Sequence, residues 1–258
     1  MRQVIVTEFA KLRRSAVPWV TLGGLMCGPL ALALFIWIVR DPDRAASLGL
    51  LGTKANLSGL EASWTAYGSY LSIVIGAGGM ILVAFIVAFL FGREYADGTA
   101  KNMLALPVPR EWFVVGKLVV AAVWWLAIAV IVLAEGFAIG AAMDLPGFSG
   151  ELAAGTVRWT LLAAFVSFLL VPVVAWIAVW TRNYLASLGF ALGMLVLGDV
   201  IGHTGWASWF PWSIVPSLTG LTGQSAPSLP WGSYVVLALT FVVGVVGASW
   251  RLRYADNP

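Results

Sequence analysis

Six separate stretches of this chain are long and apolar enough to cross a bilayer, and that requirement leaves few folds open. They lie at approximately 17–39, 68–91, 113–142, 157–180, 184–202 and 232–250. A spanning helix needs about 20 mostly apolar residues. Inside hydrocarbon, backbone polar groups must be satisfied within a helix or a closed barrel. Barrel strands alternate apolar and polar residues. These stretches do not alternate, so they read as helices. Only 10% of the 258 residues are charged, against about 25% in a soluble domain. Too few polar groups remain to cover a water-facing surface, so the bilayer supplies much of the solvent. The expectation is an all-α membrane protein with one transmembrane domain over 1–258. The start resembles a signal peptide, with basic residues followed by Ala31-Leu32-Ala33. The apolar run continues through Phe35 to Val39, too long for a cleaved leader, so a retained helix is expected.

Lys and Arg give the direction. With a cytoplasmic N-terminus, the inside segments carry Arg2, Lys11, Arg13, Arg14, Arg93, Lys101, Arg110, Lys117, Arg182, Arg251 and Arg253. The outside segments carry Arg40, Arg44, Lys54 and Arg158. The excess of inside cations predicts both termini in the cytoplasm of a cell with its inner membrane as the host. The formal net charge of +3 does not point to nucleic acid, because the cations sit at the ends of apolar runs rather than on one face. Gly24 and Gly28, Gly136 and Gly140, Gly189 and Gly193, and Gly198 and Gly202 share the GxxxG spacing that lets helix backbones approach closely. Many of the 14 Trp residues fall near span ends, as an interfacial aromatic belt does. The single Cys27 excludes an intramolecular disulfide and a Cys-rich metal site.

Three segments outside the spans carry more information. In residues 1–16, Ile5, Phe9, Leu12 and Ala16 recur at helical spacing, with Glu8, Lys11, Arg13 and Arg14 mostly elsewhere on the wheel. This predicts an amphipathic helix on the membrane surface, its cations towards anionic head groups. In the loop 92–112, Asp97 or Thr99 is a candidate N-cap for a short helix over 99–106. Pro107 stops that helix and Pro109 stiffens the exit. Met103, Leu104 and Leu106 would be exposed apolar groups with a polar rim, as at a partner site. The same pattern fits a connection packed on its own helix ends, and the residues alone leave both open. Residues 203–231 hold Trp206, Trp209, Phe210, Pro211, Trp212 and Pro216 with no Lys or Arg. Such a segment either dips back into the membrane against protein or forms an interfacial aromatic loop.

The run Arg93-Glu94-Tyr95, Gly98-Thr99, Lys101, Leu104, Pro107, Arg110 and Lys117 resembles the motif after the second span in the type-2 ABC exporter permease family, whose members include antibiotic, lantibiotic and drug exporters. The opening Glu8-Phe9-Lys11-Leu12-Arg13-Arg14 is similar to that family's N-terminal segment. The resemblance covers essentially the whole chain, is specific over 93–117 and is loose elsewhere. It implies a coupling helix, here about Asp97 to Leu106, that docks in a cleft of a separate ABC ATPase. It also implies a membrane-surface helix at the N-terminus and a re-entrant segment between spans five and six. The implied assembly is two copies of this permease with two ATPase copies. ATP and Mg would be bound by those partners and no cofactor by this chain.

Glu135 and Asp199 lie within spans, where carboxylates are expensive and become functional candidates. With a cytoplasmic N-terminus both fall in outer halves, with His203 at the end of span five. One expectation is an acidic exit along the transport path for an amphipathic or cationic substrate such as a peptide antibiotic, drug or lipid-like molecule. The other is that the carboxylates are wetted or paired with Arg158. His203 is the single histidine and no metal site is expected.

The chain lacks a phosphate-cradling Walker A run: Gly116-Lys117 is followed by Leu118, and position 111 is Glu. It therefore reads as a transport subunit rather than an enzyme, with hydrolysis on a partner. An alternative is an ATP-independent secondary transporter. That class favours internal repeats and interrupted helices, to which only Gly76-Ala77-Gly78-Gly79 corresponds. An intramembrane protease would need a Ser nucleophile and a His base at matched depth, which His203 at a helix end does not supply.

Overall fold

A computed structural model describes residues 1–49, 61–104, 107–221 and 229–254. Helix α1 (Arg2–Arg13) precedes α2 (Val17–Arg40), which has Pro18 in its first turn, where a missing N–H does no harm. The short α3 (Pro42–Ser47) follows. The second span is built of α4 (Trp64–Ile73), a π-helical turn (Val74–Gly78) and α5 (Gly79–Ala96). The brief α6 (Ala100–Leu104) leads to α7 (Arg110–Ala142), α8 (Gly150–Thr181) and α9 (Tyr184–Gly202). The eight-residue α10 (Pro211–Leu218) comes before the final α11 (Trp231–Tyr254). Six helical segments are long and apolar enough to cross a membrane, beginning at Val17, Trp64, Arg110, Gly150, Tyr184 and Trp231. They match the six expected stretches, with several ends extended.

Helix α8 is the hub of the bundle. It packs on α5, α9 and α11 and on the π turn. The π turn coincides with the glycine cluster at 76–79. Its widened backbone frees carbonyls, and the Ser167 hydroxyl of α8 lies 3.1 Å from the Gly76 carbonyl and 2.8 Å from the Ala163 carbonyl of its own helix. A Cβ on Gly76 would lie 2.5 Å from the Thr219 methyl and 2.8 Å from Ala163. The turn is thus held between α8 and the residue that follows α10. Helix α10 is buried along its whole length, from Trp212 to Leu218. It packs on α8, α9 and the π turn.

The glycine pairs divide into two kinds. Gly136 and Gly140 seat Leu71 and Trp64 of α4, and Gly28 seats Val74. Gly198 meets the Trp212 backbone, with a virtual Cβ 2.5 Å from its carbonyl oxygen. Gly189 and Gly193 face open space, with nothing within 4 Å. That difference sets a test. Gly198→Val forces the α9 and α10 backbones apart and is expected to lower the thermal midpoint in detergent, an overpacking cost of about 1–3 kcal/mol. Gly193→Val, on the same helix, is expected to leave the midpoint within error.

Candidate functional site

The C-terminal end of α5 is closed by a turn that only glycine adopts easily. Asp97 follows the last helical residue, Gly98 takes φ +67°, and the Thr99 N–H returns to the Glu94 carbonyl at 2.8 Å. This is a Schellman closure, and it delivers the chain into α6. Asp97 does not cap α6. Its carboxylate receives the Arg93 Nε at 2.9 Å, an i,i+4 pair on the α5 surface. Of the expected helix over 99–106, α6 is described from Ala100 to Leu104, and residues 105 and 106 lie outside the described residues. The side chains of Met103 and Leu104, and residue Leu106 entirely, lie outside the described residues. Lys101 and Asn102 are exposed.

Beneath this loop four charges meet, three of them buried. Lys117 of α7 is 2% exposed, Glu8 of α1 2% and Glu94 of α5 4%. The Lys117 ammonium donates to Glu8 Oε2 at 2.7 Å, Glu94 Oε1 at 2.6 Å and the Leu90 carbonyl at 2.6 Å. All three of its protons are accounted for. Lys11, half-buried, donates to Glu8 Oε1 at 2.7 Å and Glu94 Oε1 at 3.1 Å. Two cations and two anions alternate, so the cluster is neutral. Burying an unpaired charge would be prohibitive, and interleaving four offsets that. Arg93 donates to the Lys11 carbonyl at 3.3 Å, adding a further tie between α5 and α1.

Titration follows from this arrangement. Burial pushes the Glu8 carboxyl up, but the Lys117 and Lys11 ammoniums outweigh it and leave Glu8 below its ordinary value. Burial pulls the Lys11 ammonium down, but Glu8 and Glu94 outweigh it and leave Lys11 above its ordinary value. A depressed carboxyl stabilises above its unfolded value and loses that contribution as pH falls through the folded one. A raised lysine stabilises below its unfolded value and loses it as pH rises through the folded one.

Helix α1 does not carry one uniform apolar stripe. Val4, Glu8 and Leu12 face the protein and are buried, whereas Phe9 is 42% and Val6 61% exposed. Leu12 therefore belongs to the packed core, and Glu8 and Lys11 to the charge cluster rather than to a solvated face. Ile5, Val6, Phe9, Ala10, Arg13 and Arg14 line a separate shallow groove. Between α1, the end of α5, Asn102 and the start of α7 opens a cleft of about 820 Å³. Gln3, Thr7, Arg93, Asp97, Thr99, Pro107 and Trp112 contribute to its walls. Arg110 stands to one side, donating to the Leu252 carbonyl at 2.6 Å and the Arg253 carbonyl at 3.2 Å. It binds the start of α7 to the C-terminal end of α11.

The intramembrane candidates are not brought together. Glu135 is on α7, which packs mainly on α1, α2, α5, α8 and α11. Asp199 is on α9, which packs on α5, α8 and α10. No ion pair joins either carboxylate to Arg158 among the described residues. The Arg158 guanidinium lies over the Trp159 ring at 5.2 Å instead. Glu135 Oε2 and the Tyr67 hydroxyl are buried without hydrogen-bond partners among the described residues. His203 is exposed and its Nδ1 contacts the Asp199 carbonyl at 2.8 Å.

Sequence reasoning noted Glu94 and Lys117 as parts of a resemblance but missed them as one buried cluster with Glu8 and Lys11. The available signal was Lys117 itself, a charge inside the expected span 113–142, which requires a counter-charge at its own depth.

The family model for ABC-2 family transporter proteins matches residues 4–198. A bacitracin transport permease protein of Bacillus licheniformis is 27% identical over 188 residues, covering 72% of this chain and 88% of that relative. The span matched by the family model contains the charge cluster and α6.

The cluster predicts an asymmetric response to mutation. Lys117→Met leaves two buried carboxylates with Lys11 alone and is expected to cost about 3–5 kcal/mol. It should expose α1 to trypsin at Arg13 and Arg14. The double variant Lys117→Met with Glu8→Gln removes one charge of each sign and is expected to regain much of the protection. In the unmodified protein, protection of α1 should be flat between about pH 5 and pH 10, because Glu8 and Lys11 are shifted outward from their ordinary values.

Proposed function

The chain belongs to the ABC-2 family of transporter proteins as a multi-pass membrane subunit, and from that membership we propose that it is the permease half of an ATP-driven exporter. It sits in the cell's inner membrane with both termini in the cytoplasm, as the distribution of Lys and Arg favours. A separate ABC ATPase, in two copies, binds ATP and Mg and meets two copies of this chain. The substrate is an amphipathic molecule of the peptide-antibiotic, drug or lipid-like kind. The bacitracin transport permease relative supports a peptide antibiotic in particular, and with it a role in antibiotic resistance.

One observation carries this reading: α6 hangs from a rigid base. The glycine-closed turn fixes its entry, and the buried charges join α1, α5 and α7 directly behind it. A push on α6 would therefore be passed to spans two and three and to α1 together. Coupling of this kind needs an element with two discrete arrangements. The docking surface is the segment from Asp97 to Leu106 with Arg93, Glu94, Pro107 and Arg110 around it. Arg93 and Glu94 act as its foundation, and Lys101 and Asn102 project from it. Arg110 locks α7 to α11, so that the last span follows the movement of the third.

Helix α1 is the membrane-surface helix of this arrangement. Its protein face holds Leu12 and the charges. Its free side presents Val6 and Phe9 beside Arg13 and Arg14, an apolar strip with cations suited to an anionic leaflet. Helix α10 is the re-entrant element. Its complete burial and its lack of charged residues fit a segment that returns into the membrane against protein. Glu135 touches the transport path. An orphaned buried carboxylate oxygen on a span fits a group whose partner is the cargo.

Copurification tests the partner directly. Asn102→Pro interrupts α6 without touching the buried charges, and capture of the ATPase is expected to fall by about an order of magnitude at equal permease expression, a loss of roughly 1.4 kcal/mol or more. Unchanged capture would move the docking surface elsewhere. Transport driven by an ion gradient in liposomes without any ATPase would replace the exporter reading with a secondary transporter. Glu135→Gln is expected to reduce resistance to the exported antibiotic while leaving ATPase capture intact. Equal resistance at equal expression removes Glu135 from the path.

A further inference from the structure

At the end of the bundle opposite the charge cluster lies a second cavity, of about 570 Å³. That is within the range of small-molecule sites. Its walls come from the first half of the second span, the start of α8 and the turn after α10. Six of the lining residues carry hydroxyls: Thr65, Ser69, Tyr70, Ser72, Thr156 and Thr219. No Asp, Glu, Lys, Arg or His is among the lining residues.

Three of the six hydroxyls make contacts with backbone carbonyls. Ser69 donates to the Thr65 carbonyl at 3.0 Å and Ser72 lies 3.1 Å from the Gly68 carbonyl. Thr219 donates to the Val215 carbonyl at 3.1 Å. A hydroxyl that has given its proton to backbone keeps two acceptor lone pairs. Helix α10 ends on the same wall, at Leu218 to Gly220. Its C-terminus is the negative end of a helix dipole. Acceptor oxygens and a negative helix end thus converge on one space with no fixed charge to neutralise.

We propose that this cavity binds a ligand through N–H donors, either the amides of a peptide-like molecule or an ammonium group. Trp159, Ile73 and Leu152 supply the apolar part of the wall, so the ligand group is amphipathic. The cavity is also joined to the middle of the membrane. Thr219 forms part of its wall, and its methyl group lies against Gly76 in the π turn. Occupancy here therefore bears on the one irregular stretch of span two. That the ligand is the exported molecule rests on the exporter reading above, while the donor-binding site itself does not.

The experiment uses the full chain in nanodiscs with Cys27→Ser, which removes the native thiol, and Thr156→Cys, which places a reporter in the wall. The rate of maleimide labelling is measured in phosphatidylcholine discs, whose head groups carry no N–H. Acetyl-triglycine amide is expected to slow labelling about tenfold when present at about ten times a millimolar dissociation constant. The N-methylated analogue, in which a methyl group replaces each amide hydrogen, is expected to do nothing. Slowing on exchange of phosphatidylcholine for phosphatidylethanolamine, with no peptide, would also support the site and assign the donor to a lipid head group. Equal slowing by the N-methylated peptide, or slowing by neither peptide nor lipid, overturns the proposal. So does a Thr156→Cys variant that never labels, since the cavity must admit a small reagent. Gly155 lines the cavity with open space beyond its Cα. Gly155→Phe is expected to abolish peptide protection while the protein still elutes as a folded species. Loss of protection with ATPase capture intact strikes this site alone. Loss of capture with protection intact strikes the exporter reading alone.

Discussion

A buried lysine, two buried carboxylates and a half-buried lysine at one end of the bundle determine how α1, α5 and α7 are arranged. None of the three buried groups is tolerable there alone. Lys117 in particular stands on a span, 2% exposed, and only the approach of both Glu8 and Glu94 makes its burial acceptable. Glu94 comes from the end of the second span, so spans two and three must meet at that depth. Glu8 comes from α1, so the N-terminal helix must lie across both. The electrostatic requirement therefore places three elements, and the ends of the loop between α5 and α7 are fixed by consequence. Packing reinforces the arrangement: Gly116, one residue before Lys117, seats Val4 of α1, with a virtual Cβ only 2.9 Å from it.

Much of the fold was legible because a bilayer imposes a simple rule. A stretch that cannot leave its backbone unsatisfied must be helical, and its length is set by the hydrocarbon. The six spans follow from that rule with no tertiary information. The candidate site was harder to read for a reason specific to its chemistry. On a helical wheel Glu8 and Lys11 are polar, and polar residues on an amphipathic helix are read as solvated. Burial of a charge depends on partners distant in sequence, 83 residues from Lys11 to Glu94 and 109 from Glu8 to Lys117. No local pattern encodes such distances. The Asp97 side chain shows the same limit on a small scale. Its position suits an N-cap of α6, but the Arg93 guanidinium one turn earlier competes for the carboxylate.

The glycines show where local spacing suffices and where it does not. GxxxG marks close approach, and Gly136, Gly140, Gly28 and Gly198 all receive side chains or backbone from another element. The spacing does not name the partner. Gly189 and Gly193 have the same spacing on α9 and meet nothing, with Leu185, Leu192 and Val196 exposed along that helix. In lipid, apolar exposure is no anomaly.

The two ends of the bundle use opposite physics, and the difference bears on how motion would pass between them. At one end, buried ion pairs and a closed helix terminus make a stiff junction, in which parting any element strands a charge. At the other, hydroxyls bonded to their own backbones leave walls that can accept a donor without rearranging. Between them the second span is not a continuous α-helix. Its π turn meets the Ser167 hydroxyl and packs closely on Ala163 and Thr219, and π turns inside helices are common at functional sites. A span that is rigidly held at one end and irregular at its centre concentrates bending at the irregularity. Displacement of α5 at the stiff end therefore reaches α4 chiefly through the π turn. The turn touches the residue that walls the hydroxyl cavity, so in the proposed transport cycle input at α6 and occupancy at the far end would act on the same few backbone atoms.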